Sequence, residues 1–96
     1  MTSQEFRHSL QDDAPSAEMQ PLLEALWWDA KGNWNRAHEI AQEIHSQDGS
    51  WVHAYLHRKE GDAANAGYWY RQAGKPHCTL ETEAEWLNIV DSLLGR

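Results

Sequence analysis

Two glycines, Gly32 and Gly61, stand 29 residues apart, and the residues around them match. Ala25 aligns with Ala54, Asn33 with Asp62, Ala37 with Ala66 and Ile40 with Trp69. A glycine after the last apolar position of a helix is a stop, and an Asn or Asp directly behind it caps the next helix. Glycine accepts the left-handed backbone of a tight reversal without a Cβ clash. The pattern spells helix, turn, helix, twice over. That repeat sets the expected fold class: all-α, tandem antiparallel helix-turn-helix hairpins.

The hydrophobic periodicity agrees. Residues 1–16 read as a flexible or short-helical arm, with Phe6 and Leu10 on one side and Asp12-Asp13-Ala14-Pro15 as its end. Residues 17–96 read as one helical domain. Hairpin 1, about 18–46, opens with Pro21 in the first helical position, where its missing N–H costs nothing. Ala37, Ile40, Ala41 and Ile44 then recur at i, i+3, i+4 and i+7, one stripe of a 3.6-residue period. Hairpin 2, about 50–74, has Asp48 or Ser50 as expected cap and the stripe Ala66, Trp69, Tyr70 and Ala73. A closing helix, about 80–94, carries Trp86, Ile89, Val90 and Leu93, and either Thr79 or Thr82 caps it, the latter in a capping box with Glu85. Alanines where antiparallel helices cross allow close backbone approach, and the aromatic rings fill space between hairpins.

At two places the chain resembles the tetratricopeptide and Sel1-like repeat families. Gly32-Asn33-Trp34-Asn35-Arg36-Ala37 looks like the tetratricopeptide turn, and Asn65–Ala73 is similar to the second helix of a Sel1-like repeat. The resemblance spans about residues 18–75 and implies a right-handed array of hairpins with a C-terminal capping helix. It also implies a surface for protein partners. The chain departs from the pattern in three ways. Its period is 29, against about 34 in the tetratricopeptide family, and it has two units. Its first helices carry Glu24 and His53 where the family favours a large apolar residue.

Charge narrows the function classes. A net charge of −7 and a pI near 5.2 argue against nucleic acid and anionic membrane as partners. The acids are unevenly placed: residues 51–80 hold Arg58, Lys59, Arg71 and Lys75 against Glu60 and Asp62. Cys78 is the single cysteine, which leaves neither a disulfide framework nor a cysteine-based zinc site. No basic start precedes an apolar run, and no stretch is apolar enough to span a bilayer, so a cytoplasmic address is expected.

No catalytic or cofactor motif stands out. Six tryptophans in 96 residues exceed what two hairpin cores take up, and neighbours such as Trp27-Trp28 and Tyr68-Trp69-Tyr70 span more than one helix face. The leading expectation is a small interaction module or scaffold for a protein partner or a second copy of the chain. Its face would be the aromatic and basic side of hairpin 2, Tyr55, Arg58, Lys59, Trp69 and Arg71. The alternative is a small ligand- or metal-binding protein, conceivably an enzyme. His53 and His57 sit four apart on one helix, a spacing that can grip a transition metal. A third donor would come from Glu24, His38, His45 or Glu60, with Glu60 the closest in sequence to the pair. The competing assignment packs both rings between hairpins, their nitrogens bonded to a carboxylate, a tyrosine or the backbone. Likewise, Arg58 and Lys59 at a helix C-terminus and Asp62 at the next N-terminus have capping roles that need no ligand.

Overall fold

The repeat survives at the level of single hydrogen bonds. In the computed structural model, which describes all 96 residues, Gly32 and Gly61 both have positive φ, 86° and 91°. Asn33 N–H donates to the Trp28 carbonyl and Asp62 N–H to the His57 carbonyl, each at 2.9 Å. The side-chain oxygen of Asn33 then accepts from Arg36 N–H at 3.1 Å, and that of Asp62 from Asn65 N–H at 3.2 Å. Both turns close one helix and cap the next by the same bonds.

Six α-helices result, with no strand: α1 (Ser3–His8, continued by a 3₁₀ turn Ser9–Gln11), α2 (Pro21–Ala30), α3 (Trp34–Gln42), α4 (Gln47–Lys59), α5 (Ala63–Ala73) and α6 (Thr82–Leu94). α2 packs on α3, α4 on α5, and α3 and α4 join the two pairs. α6 lies against α4, α2 and α1. The radius of gyration is 12.3 Å, close to the about 12.5 Å expected of a compact chain this long. No helix is long and apolar enough to cross a membrane.

Two expected helix starts move. The cap of α4 is Ser46, whose hydroxyl accepts from Gly49 N–H at 3.0 Å, so the helix begins before Asp48 and Ser50. Gly49 makes this possible. A Cβ there would lie 2.0 Å from the Ile44 carbonyl oxygen, so only glycine lets the first turn of α4 approach the end of hairpin 1. At α6 the cap position is Glu81, without a side-chain bond, and Thr82 is the first helical residue. Glu85 cannot complete a capping box because its carboxylate is turned inward and fully engaged.

The N-terminal arm is tied down. Thr2 and Glu5 form a capping box over α1, and Phe6 is fully buried with its ring 5.7 Å from that of Trp86. Trp27 Nε1 donates to the Ser9 carbonyl, and Lys31 Nζ donates to those of Leu10 and Asp12.

Two carboxylates are sunk among the apolar side chains. Asp29, 2% exposed, accepts from Tyr55 Oη at 2.7 Å and Lys59 Nζ at 2.9 Å. Glu85, 1% exposed, accepts from Tyr70 Oη, from Arg58 Nη1 at 2.8 Å and from Trp51 Nε1 at 3.3 Å. Burial, with the adjacent carboxylate, drives both tyrosine hydroxyls well above their usual range. They are fixed donors. These knots fasten α4 to α2 through Asp29 and to α6 through Glu85.

Candidate metal centre

The repeat also locates what is special about hairpin 2. Positions 24 and 28 of hairpin 1 correspond to 53 and 57. In hairpin 1 they are Glu24 and Trp28, bonded to each other through Trp28 Nε1. In hairpin 2 they are His53 and His57, both buried on α4. The rings lie partly stacked, 4.8 Å between centroids. α3 brings His38 across from hairpin 1, 4.7 Å from the His53 ring and 5.1 Å from that of His57.

Three imidazoles therefore converge where the hairpins meet. One ring nitrogen from each lies within 4.8 Å of the others, and His38 Nε2 is 2.9 Å from His53 Nε2. That last contact requires one ring to donate and the other to accept, so the two nitrogens share a single proton. Of the four sequence candidates for a third donor, His38 meets the pair. Glu60 instead bonds His57, its carboxylate 2.7 Å from Nδ1. A carboxylate in that place favours the Nδ1–H tautomer, in which the lone pair sits on Nε2. Glu24 is engaged with Trp28, and His45 lies on the rim of a neighbouring cleft.

Two indoles wall the cluster. Trp34 stacks on His38 at 4.9 Å, and its Nε1 is anchored on the Leu56 carbonyl at 2.8 Å. Trp69 of α5 stacks on His53 at 4.1 Å. Part of the tryptophan surplus is thus spent on the histidines. The spacing of Trp34 and His38, four apart on α3, is the sequence signal for the near wall; nothing local in the sequence announces that α3 faces His53.

Electrostatics keep His38 and His53 neutral. Burial, reinforced by His38 and His57, holds the His53 imidazole down at about 4. Burial also lowers His38, helped by His57 and opposed by Glu60 and Glu39. At neutral pH both rings are therefore uncharged, the form that binds a metal.

Of the five residues expected to form a partner face, Tyr55, Arg58, Lys59 and Trp69 have partners within the fold. Tyr55 and Lys59 are turned toward Asp29 of α2. Arg58 reaches the other way, to Glu85 and the Leu80 carbonyl. Trp69 covers His53, and Arg71 is exposed on α5. The physical reason is the two buried carboxylates, which take up the Tyr55 hydroxyl, the Lys59 ammonium and the Arg58 guanidinium.

A cleft of about 470 Å³ opens beside the cluster, between the α3–α4 connection and α5, with His53 and Trp69 in its wall. Compared with known family models, with curated proteins and with solved structures, the chain matches none.

Proposed function

We propose that the protein binds a divalent transition-metal ion through His38, His53 and His57. The observation that carries the reading is the convergence of three buried or half-buried imidazoles at a hairpin junction, with Glu60 orienting the third. Imidazole nitrogens suit zinc, copper, nickel and iron. A tetrahedral ion with metal–nitrogen bonds near 2.05 Å sets its ligand nitrogens about 3.3 Å apart. The His38–His53 separation of 2.9 Å is already near that edge, and the widest, within 4.8 Å, closes by side-chain rotation. Binding would move the Nε2 proton shared by His38 and His53 to the donor ring's Nδ1, set the ion on both Nε2 atoms and tie hairpin 1 to hairpin 2.

Purification without chelator, followed by elemental analysis and melting with added zinc, nickel, copper or cobalt, tests this. The expected result is one equivalent of metal per chain. Saturation about 100-fold above the dissociation constant adds about 2.7 kcal/mol, a rise in melting temperature of roughly 10–20 °C for a domain of this size. Substoichiometric metal with an unmoved melting temperature for all four ions overturns the reading.

A second reading keeps the tetratricopeptide-like array as a scaffold for a protein partner or a second copy of the chain. It is supported by the repeated turns and by Tyr68 and Leu80, large apolar side chains 47% and 49% exposed. A strictly monomeric species with no specific partner in pull-down counts against it.

A further inference from the structure

Taking the metal reading as premise, we infer that the ion's remaining coordination position opens on the cleft beside His53 and takes a small anion. Three protein ligands leave a tetrahedral ion one position for water or an exogenous ligand, the arrangement of reactive rather than purely structural zinc sites. No fourth side chain joins the three histidines within 4.8 Å. Glu60 is committed to His57 Nδ1, and Glu24 to Trp28. The cleft of about 470 Å³ is the open space that reaches the ligand His53.

Charge decides what enters it. Three neutral imidazoles cancel none of the ion's two positive charges, and Glu60 offsets one through His57. No Asp, Glu, Lys or Arg lines the cleft. Its polar groups are the amides of Gln42, Gln47 and Gln72 and the hydroxyls of Ser46 and Ser50, with His45 at the rim. A cation is repelled by the ion, and a neutral ligand only competes with water. A monoanion of carboxylate or azide type gains the ion's field, and its outer atoms find amide N–H donors. The nearby cations Arg58 and Lys59 are bound to Glu85 and Asp29, so the ion itself is the attracting charge.

The alternative occupant of the fourth position is His45, swung in from the rim to close the site. Cobalt distinguishes the two, because its visible absorption reports both coordination number and ligand exchange. The cobalt-loaded protein is titrated with sodium azide and with sodium acetate, alongside Gln72→Leu and His45→Ala. The inference expects a saturable spectral change with each anion in the wild type and in His45→Ala. It also expects acetate to bind about tenfold more weakly in Gln72→Leu, with cobalt affinity unchanged, the loss of one hydrogen bond to a charged ligand. Gln72 is exposed, so its replacement leaves the fold intact. Stoichiometric cobalt with a spectrum indifferent to both anions, becoming responsive only in His45→Ala, overturns the inference and leaves the metal site standing. Absence of cobalt uptake overturns both.

Discussion

Replacing Glu85 with alanine should be the most damaging polar substitution in this protein. Glu85 is the common acceptor for Arg58, Tyr70 and Trp51, so its removal orphans three donors at once. Arg58 has an escape, since its side chain is 17% exposed and can swing toward water. Tyr70 has none: it is 1% exposed, and its hydroxyl has no other acceptor. Breaking a buried charged pair from one side costs about 3–5 kcal/mol, and an orphaned buried hydroxyl about 1–3 kcal/mol. These overlap, so we expect a loss of at least about 3 kcal/mol, a large share of the 5–15 kcal/mol typical of a domain. Urea denaturation followed by tryptophan fluorescence measures it. The double variant Glu85→Ala/Tyr70→Phe should recover about 1–3 kcal/mol relative to additivity, because phenylalanine leaves no hydroxyl to orphan. The triple variant Glu85→Met/Arg58→Met/Tyr70→Phe should recover most of the loss, since apolar replacement of a buried ion pair is often neutral or better, and fall short of wild type by the about 1–3 kcal/mol of the Trp51 N–H it still orphans. A loss below about 1 kcal/mol for Glu85→Ala, or strict additivity with Tyr70→Phe, would refute the picture of one shared acceptor.

Further predictions separate the roles of particular residues. Gly49→Ala should destabilise strongly, because its Cβ would collide with the Ile44 carbonyl at 2.0 Å. Gly67→Ala, inside α5 with no neighbour nearer than 3.6 Å, should stabilise by roughly 0.5–1 kcal/mol through helix propensity. Chemical denaturation of the two variants side by side checks both signs. Stability should also fall on mild acidification. His53 titrates at about 4 when folded against 6.5 for the free side chain, so between those values the unfolded chain takes up a proton that the native state refuses. Its contribution is complete above pH 6.5 and lost as pH drops toward 4, at most about 3 kcal/mol for the full window. The slope of unfolding free energy against pH should lessen in His53→Leu, and an unchanged slope contradicts the assignment.

The two turns were legible because their signals are local. Gly32-Asn33 and Gly61-Asp62 carry the stop, the left-handed residue and the cap within two positions, and the structure uses all three. Helix starts without such punctuation were harder. Ser46, Asp48 and Ser50 are all competent caps, and the choice of Ser46 depends on a tertiary approach to Ile44 that no local pattern encodes. The same holds for the site. The His53–His57 pair was visible from its spacing, but the selection of His38 over Glu24, His45 and Glu60 is made by how α3 crosses α4. Tyr55, Arg58 and Lys59 read as part of an aromatic and basic face because their partners, Asp29 and Glu85, lie 26 and 27 residues away from Tyr55 and Arg58. Nothing near Asp29 or Glu85 in the chain marks either carboxylate as buried.

The most direct test of the account is a zinc titration against a chromophoric competing chelator, run on the wild type and on His38→Ala, His53→Ala and His57→Ala. The account predicts one zinc per chain in the wild type and a loss of at least about 100-fold in affinity for each single variant. Glu60→Gln, which keeps every ligand but loosens the ring it orients, should lose about 10- to 100-fold. A wild type that takes up no zinc, or zinc binding that all three histidine variants retain, would contradict it.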